Sequence, residues 1–443
     1  MKKESLALSF ILLFFLVVGC KALPEEADTP SEAGFAQTGT GMQSLHQDQF
    51  LDSLLIHHQY FELRDQISSM DYRLPELSSL FYRAQLQAAF NQRKESNRNI
   101  ELILHQFPDQ LNDLKRVLLL ETAAANSLFL FDYQKALHYT QLLLDLELVE
   151  GQKRKEHLNN LRIYQALRRI PPQRIHLAQS TLPIEKDLAG LSRVPVTINT
   201  FPQQVVFDTG ANFSVITDSL ALKAGMEIHD IQFKVTAITG KEINSRIAVA
   251  RELILGNSRL HNVVFLVFPQ ESLSFPQIDY TIDAILGFPV INALGQIQLV
   301  NQEEFLITLS DPKDTIANLA LDFLTPLVKV LEKDQTLTFT FDTGANTTSL
   351  YSPYFDLHSE RILEASIQDT VHIGGAGGVM SIPVYLHPFS AQIGNSQFTL
   401  DRVPVYKQNI KPYPGIHGNL GQDILSQFDT LKLDFKHMQL ELQ

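Results

Sequence analysis

Three textures of hydrophobic and polar positions follow one another along this chain. An apolar run from Leu6 to Val18 stands behind Met1-Lys2-Lys3. From about Leu45 to Ile175 glycine is almost absent and apolar residues recur at helical spacing. Leu77, Phe81, Ala84 and Ala88, at i, i+4, i+7 and i+11, are one such set, and the pattern predicts six or seven packed helices. Pro171-Pro172 ends the last of them and marks a boundary near residues 171 to 185. Past residue 185 short alternating runs rich in Val, Ile, Phe and Thr, broken by Gly, Asn and Pro, predict a largely β region.

The first apolar run is short for a membrane span and ends in Gly19-Cys20, the layout of a secretory signal. Val17-Val18-Gly19-Cys20 resembles the lipobox of bacterial lipoproteins. That resemblance implies removal of residues 1–19, lipid attachment at Cys20, and an extracytoplasmic protein held to a bacterial membrane through its N-terminal lipid. Cys20 is the only cysteine, which leaves no internal disulfide. Residues 20–44, with Pro24-Glu25-Glu26 and several Gly, Ser and Thr, read as a flexible tether.

The helical stretch is assigned to residues 45–181. Within it, Asp132-Tyr133-Gln134-Lys135-Ala136-Leu137-His138-Tyr139 is similar to the second helix of a tetratricopeptide repeat. The resemblance implies a helical-repeat-like domain that holds a protein partner or presents substrate; the alternative is a domain that only packs. His57-His58 read as solvated helix residues. No His-Glu-x-x-His or paired-Cys pattern exists, so no metal or cofactor is expected. The formal charge of -13 disfavours nucleic acid as a partner.

The β region contains one pattern twice. Val205-Val206-Phe207-Asp208-Thr209-Gly210-Ala211-Asn212 is echoed by Phe339-Thr340-Phe341-Asp342-Thr343-Gly344-Ala345-Asn346. Gly287 of Ile285-Leu286-Gly287 follows Asp208, and Gly421 of Asn419-Leu420-Gly421 follows Asp342, by the same 79 residues (287 − 208 and 421 − 342). Ile297-Gln298-Leu299 and Leu431-Lys432-Leu433 also fall at matching places. Two homologous lobes follow, 182–312 and 314–443.

These motifs resemble the aspartic peptidases of the pepsin and retropepsin clan, in which each lobe gives one Asp-Thr-Gly loop and a downstream apolar-apolar-Gly segment supports it. The resemblance implies a bilobal all-β acid-protease fold behind the helical domain. It implies Asp208 and Asp342 as catalytic carboxylates, with Thr209, Gly210, Thr343 and Gly344 supporting the loops. Val371 to Val379 is similar to the glycine-rich flap of retroviral proteases, which assigns Ile373, Gly374, Gly375, Ala376 and Gly377 to a mobile substrate cover. Ile238, Thr239 and Gly240 stand at the matching place in the first lobe, where a shorter or stiffer hairpin is expected. Asn419, in place of an apolar residue, departs from the pattern.

Two carboxyls in contact cannot both ionise, so the pair keeps one proton and can act as base and acid in turn. Ala211 and Ala345 stand where pepsin-like enzymes place a hydroxyl donor. Its loss is expected to raise the pair's pKa and carry activity toward neutral pH. The expected function is that of an aspartic endopeptidase acting on peptide or protein substrates, complete as a monomer. The alternative is a non-catalytic peptide-binding lipoprotein on the same fold. Gly-x-Ser-x-Gly is absent and the lone cysteine lies at the lipobox, so serine and cysteine hydrolysis find no support.

Overall fold

The computed structural model describes residues 8–10, 14–15, 40–70, 74–237, 239–309, 316–408 and 413–443. Cys20 and Ile238 lie outside the described residues. The described helices before residue 170 are α1 (Thr40–Ile56), α2 (Tyr60–Ser69), α3 (Glu76–Ala89), α4 (Arg93–Gln106), α5 (Asp113–Phe129), α6 (Tyr133–Asp145) and α7 (Gly151–Leu167). A bilobal β domain follows. Helix α1 begins inside the stretch expected as tether. None of the described helices is long and apolar enough to cross a membrane.

The helices form hairpins with one shared turn. His58, Asn91 and Phe131, each two residues before the next helix, adopt left-handed φ values of 57°, 61° and 60°. A non-glycine residue there carries strain of about 1–3 kcal/mol, which persists only where packing holds it. Contacts to the β domain hold the first two of these turns. His58, expected on a solvated face, is instead 1% exposed, with Nδ1 3.2 Å from the Asp322 carboxylate. Tyr60 donates to the same carboxylate at 2.8 Å, and Gln59 donates to Gly415 O at 2.6 Å. Asn91 donates to Asn292 Oδ1 and Phe435 O, and Arg93 to Phe323 O. Asp132 caps α6 through Lys135 N–H at 3.1 Å, and Tyr133, Ala136 and Tyr139 are buried.

The two lobes repeat one sheet, strand for strand. The first lobe runs, in spatial order, Glu227–Ala237, Glu242–Leu255, Ser258–Phe268, Ser214–Thr217, Ala284–Leu286, Phe201–Phe207, Ser192–Ile198 and Glu185–Lys186. The second runs Ile367–Gly375, Gly378–Ile393, Ser396–Val405, Ser349–Leu350, Gly418–Leu420, Gln335–Phe341, Thr325–Glu332 and Leu319–Asp322. Beyond each outer strand a short strand from the chain's first residues adds one more: Phe14–Phe15 on the first sheet, Leu8–Phe10 on the second. Arg174–His176 pairs with the first-lobe strand Ser258–Phe268, ahead of the expected boundary at 182, because the two prolines stop the helical stretch early.

A further sheet joins the lobes in the order Gln439–Leu442, Thr430–Asp434, Gln296–Val300, Glu304–Thr308 and Ser180–Pro183. Its central pair is the two duplicated strands facing each other: Ile297 opposes Leu433, Gln298 opposes Lys432, and Leu299 opposes Leu431. Gln298 and Lys432 are equivalent positions in the two lobes, so the pseudo-twofold axis passes between them. The first-lobe hairpin is not the shorter one, since its strands of 11 and 14 residues equal in total the 9 and 16 of the second lobe. Alternating residues before Ala237 extend its leading strand, with Phe233, Val235 and Ala237 buried.

Candidate active site

Each Asp-Thr-Gly loop leaves its strand at the centre of its lobe and is pinned by the neighbouring supporting strand. Asp208 N–H donates to Leu286 O at 3.1 Å and Asp342 N–H to Leu420 O at 3.0 Å. Behind each loop the supporting glycine passes close to backbone: a Cβ on Gly421 would lie 2.5 Å from the Thr347 carbonyl carbon, and one on Gly287 would strike Phe213 and Ser214. Only glycine fits these crossings.

The lobes also exchange hydrogen bonds through the two threonines. Thr343 Oγ1 accepts from Thr209 N–H at 3.0 Å and donates to Phe207 O at 3.0 Å. Thr209 Oγ1 accepts from Thr343 N–H at 3.0 Å and donates to Phe341 O at 2.9 Å. This symmetric knot, buried in both lobes, fixes the distance between the two loops.

It also brings the carboxyls together. Asp208 is 0% and Asp342 1% exposed, and each carboxyl lies against the other loop's glycine. Asp208 Oδ1 accepts from Gly210 N–H at 2.8 Å and Ala211 N–H at 3.1 Å, while Asp342 Oδ1 accepts from Gly344 N–H at 2.8 Å. Asp208 Oδ2 is buried and takes none of these donors. The glycines are where the opposite carboxyl comes in: a Cβ on Gly210 would sit 2.5 Å from Asp342 Oδ1, and one on Gly344 2.5 Å from both Asp208 oxygens.

Burial, then the neighbouring Asp342 carboxyl, pushes Asp208 well above the usual carboxylate range; the two amides at its Oδ1 pull the other way and lose. The shift belongs to the pair, which holds a proton at pH values where isolated Asp has lost it. Among the described residues, no group of three His, Cys, Asp or Glu side chains could hold a metal ion.

The tips of the two hairpins meet. Thr239 Oγ1 donates to Ala376 O at 2.9 Å, and Gly377 N–H donates to Ser272 O at 2.8 Å. Gly377 has φ +84°, and a Cβ on it would lie 3.1 Å from Thr239 Oγ1. Ile373, Gly374, Gly375 and Ala376 form the buried end of the second hairpin, and Gly240 makes the first hairpin's turn at φ +76°.

Three features here were not read from the sequence. Tyr351, packed against Tyr406, has its phenol held protonated by burial, then by Tyr406 and Asp342. Its first-lobe counterpart, nine residues past the Asp, is Thr217, so the duplication gave no signal. Lys186, pulled down to about 8 by burial, bonds Ser192 Oγ and Gln422 Oε1, and Gln422 Nε2 donates to Thr343 O at 2.7 Å. Asn419 is matched by its partner. Where the first lobe pairs Val206 with Ile285, the second pairs Thr340 with Asn419, and Thr340 Oγ1 donates to Asn419 Oδ1 at 2.6 Å.

His417, next to that supporting strand, sets an acid limit. Its Nδ1 accepts from Thr338 N–H at 3.1 Å, and burial lowers it from 6.5 to about 4. The unfolded chain takes up this proton near pH 6.5 and the folded chain only near pH 4. Stability therefore falls as pH drops through that window, by roughly 3 kcal/mol in full. A His417→Gln variant is expected to flatten the loss of thermal midpoint between pH 6.5 and 4; an unchanged slope would rule out this histidine as its source.

Residues 194–290 match a family model described as aspartyl protease. Among solved structures, the crystal structure of a retropepsin-like aspartic protease from Rickettsia conorii is similar at 13% identity, over 31% of this chain and 94% of that one, with a TM-score of 0.21. No curated protein matches. The first lobe, which carries Asp208, is thus similar to aspartyl proteases, and the second lobe repeats its strand order around Asp342.

Proposed function

We propose that this chain is an aspartic endopeptidase that hydrolyses peptide bonds with a water molecule activated between Asp208 and Asp342. The observation that carries the reading is the buried pair of carboxyls, one from each lobe, each admitted by the other loop's glycine. With one proton on the pair, the ionised carboxylate takes a proton from water as it attacks the peptide carbonyl. The protonated carboxyl donates to the carbonyl oxygen. As the tetrahedral diol collapses, a proton passes to the leaving nitrogen and the pair regains its starting state. Burial of the site strengthens both proton transfers.

Both carboxyls come from one chain, so activity needs no second copy and should be independent of dilution. The Cys20 motif supports an exported, lipid-anchored enzyme. A mixed library of internally quenched peptides tests the reading. Cleavage is expected, extending above pH 5 because the pair's last proton is held tightly, and a statine-type peptide that mimics the diol should block it. An uncut library, or cutting that the statine peptide leaves untouched, would count against it.

A further inference from the structure

We propose that Asn159, on α7 of the helical domain, is a specificity-determining residue that ends the peptide-pairing edge of the first-lobe hairpin at Lys234. The inference rests on the peptidase reading for the identity of the peptide, and on two separate contacts for the edge.

In an antiparallel strand, alternate residues turn their N–H and C=O toward opposite neighbours. The strand Glu227–Ala237 pairs on one side with Glu242–Leu255, with Lys234 opposite Asn244. Lys234 presents its own N–H and C=O on the other side, toward α7. Asn159 takes both: Nδ2 donates to Lys234 O at 2.7 Å, and Oδ1 accepts from Lys234 N–H at 3.0 Å. A single carboxamide thus stands in for a neighbouring strand.

Two residues further along, the same edge carries a real one. Phe15 opposes Thr236 and Phe14 opposes Ala237, antiparallel, while Leu8, Ser9 and Phe10 run parallel along His372, Ile373 and Gly374 of the second hairpin. The chain's own first residues therefore pair with both hairpins as an extended peptide would, with a defined polarity. A peptide in that register that continued C-terminally past the residue opposite Thr236 would reach Lys234 two residues later. There it would need the N–H and C=O that Asn159 already holds. The peptide must leave the edge at that point, so residues beyond it add nothing to binding.

The test uses the full chain and two uncleavable reduced-bond peptides with a common apolar core, one of them four residues longer at its C-terminus. By calorimetry, the wild type should bind both within about twofold. Asn159→Ala should bind the longer peptide about five- to tenfold more tightly, as its backbone gains the freed groups. Asn159→Ser, too short to reach both groups, should behave likewise. Adding Lys234→Pro, which removes the edge N–H, should cancel the gain. The proposal is overturned if the wild type itself profits from the extension, if neither Asn159 variant does, or if neither peptide binds. Cleavable versions are assayed in parallel. Peptides that bind with this length dependence but stay uncut would overturn the peptidase reading alone, and peptides cut without it would overturn this inference alone.

Discussion

Asp208→Asn or Asp342→Asn should lower peptide hydrolysis by at least a hundredfold to ten-thousandfold, and at pH 7 either variant should melt at a higher temperature than the wild type. The first effect follows from losing a carboxyl that must serve as acid or base. The second follows from the direction of the shift. Asp208 is raised in the folded protein above the 3.8 it has when unfolded. The stability that this group contributes is complete below about pH 3.8 and is lost as pH climbs through the folded value. An amide does not titrate, so the variant escapes that loss. The midpoints of variant and wild type should coincide near pH 3 and separate toward pH 7, by roughly 2–4 °C for each kcal/mol relieved. Calorimetric melts across this range, alongside the quenched-peptide assay, check both parts. A variant that lost activity but melted lower at pH 7 would indicate that the carboxyls are structural.

Gly344→Ala is the second large effect. Its new methyl would fall 2.5 Å from both Asp208 oxygens, inside the space that the opposite carboxyl occupies. The Thr209 and Thr343 knot opposes any widening of the gap, so the strain has nowhere to go. Overpacking of this kind costs about 1–3 kcal/mol, and displacement of the dyad by an ångström costs on the order of a hundredfold in rate. The cost should depend on Asp208. In an Asp208→Ala background the added methyl finds room, and Gly344→Ala should destabilise much less than it does in the wild type. Equal destabilisation in the two backgrounds would mean that the loops do not approach as described.

Much of the site was legible because it is written twice. A repeated Phe-Asp-Thr-Gly-Ala-Asn with a glycine at equal distance downstream specifies two equivalent loops, and the pairing of Ile297–Leu299 with Leu431–Leu433 is how two equivalent strands meet at an axis. Legibility failed where the lobes differ or where a single residue acts at long range. The Thr340–Asn419 pair looked like a defect in a motif until the register showed that both members had changed together. Lys186 and Asn159 act through contacts across lobes or domains, and nothing in their immediate sequence marks them.

The helical domain shows the same limit. Its periodicity gave the helices, but the turns centred on His58, Asn91 and Phe131, of which the first two grip the lobes, share a backbone conformation and no side-chain chemistry. A turn defined by φ alone leaves little trace in sequence when the residue is not glycine. His58 reads as an ordinary polar helix residue; the buried Asp322 from the second lobe, 264 positions away (322 − 58), and the Tyr413 ring explain its burial. The first two turns commit one end of the hairpins to the β domain, and α7 reaches the first-lobe hairpin at Lys234.

The most direct test of the dyad is the titration of its carboxyl carbons, by NMR of Asp-labelled protein between pH 3 and 8, with the Asp208→Asn and Asp342→Asn variants providing assignment. Two resonances that shift together, with the final proton leaving well above the ordinary carboxylate range, and with that late step missing from both variants, is the predicted result. Two carboxyls that titrate independently near pH 4 would contradict the account.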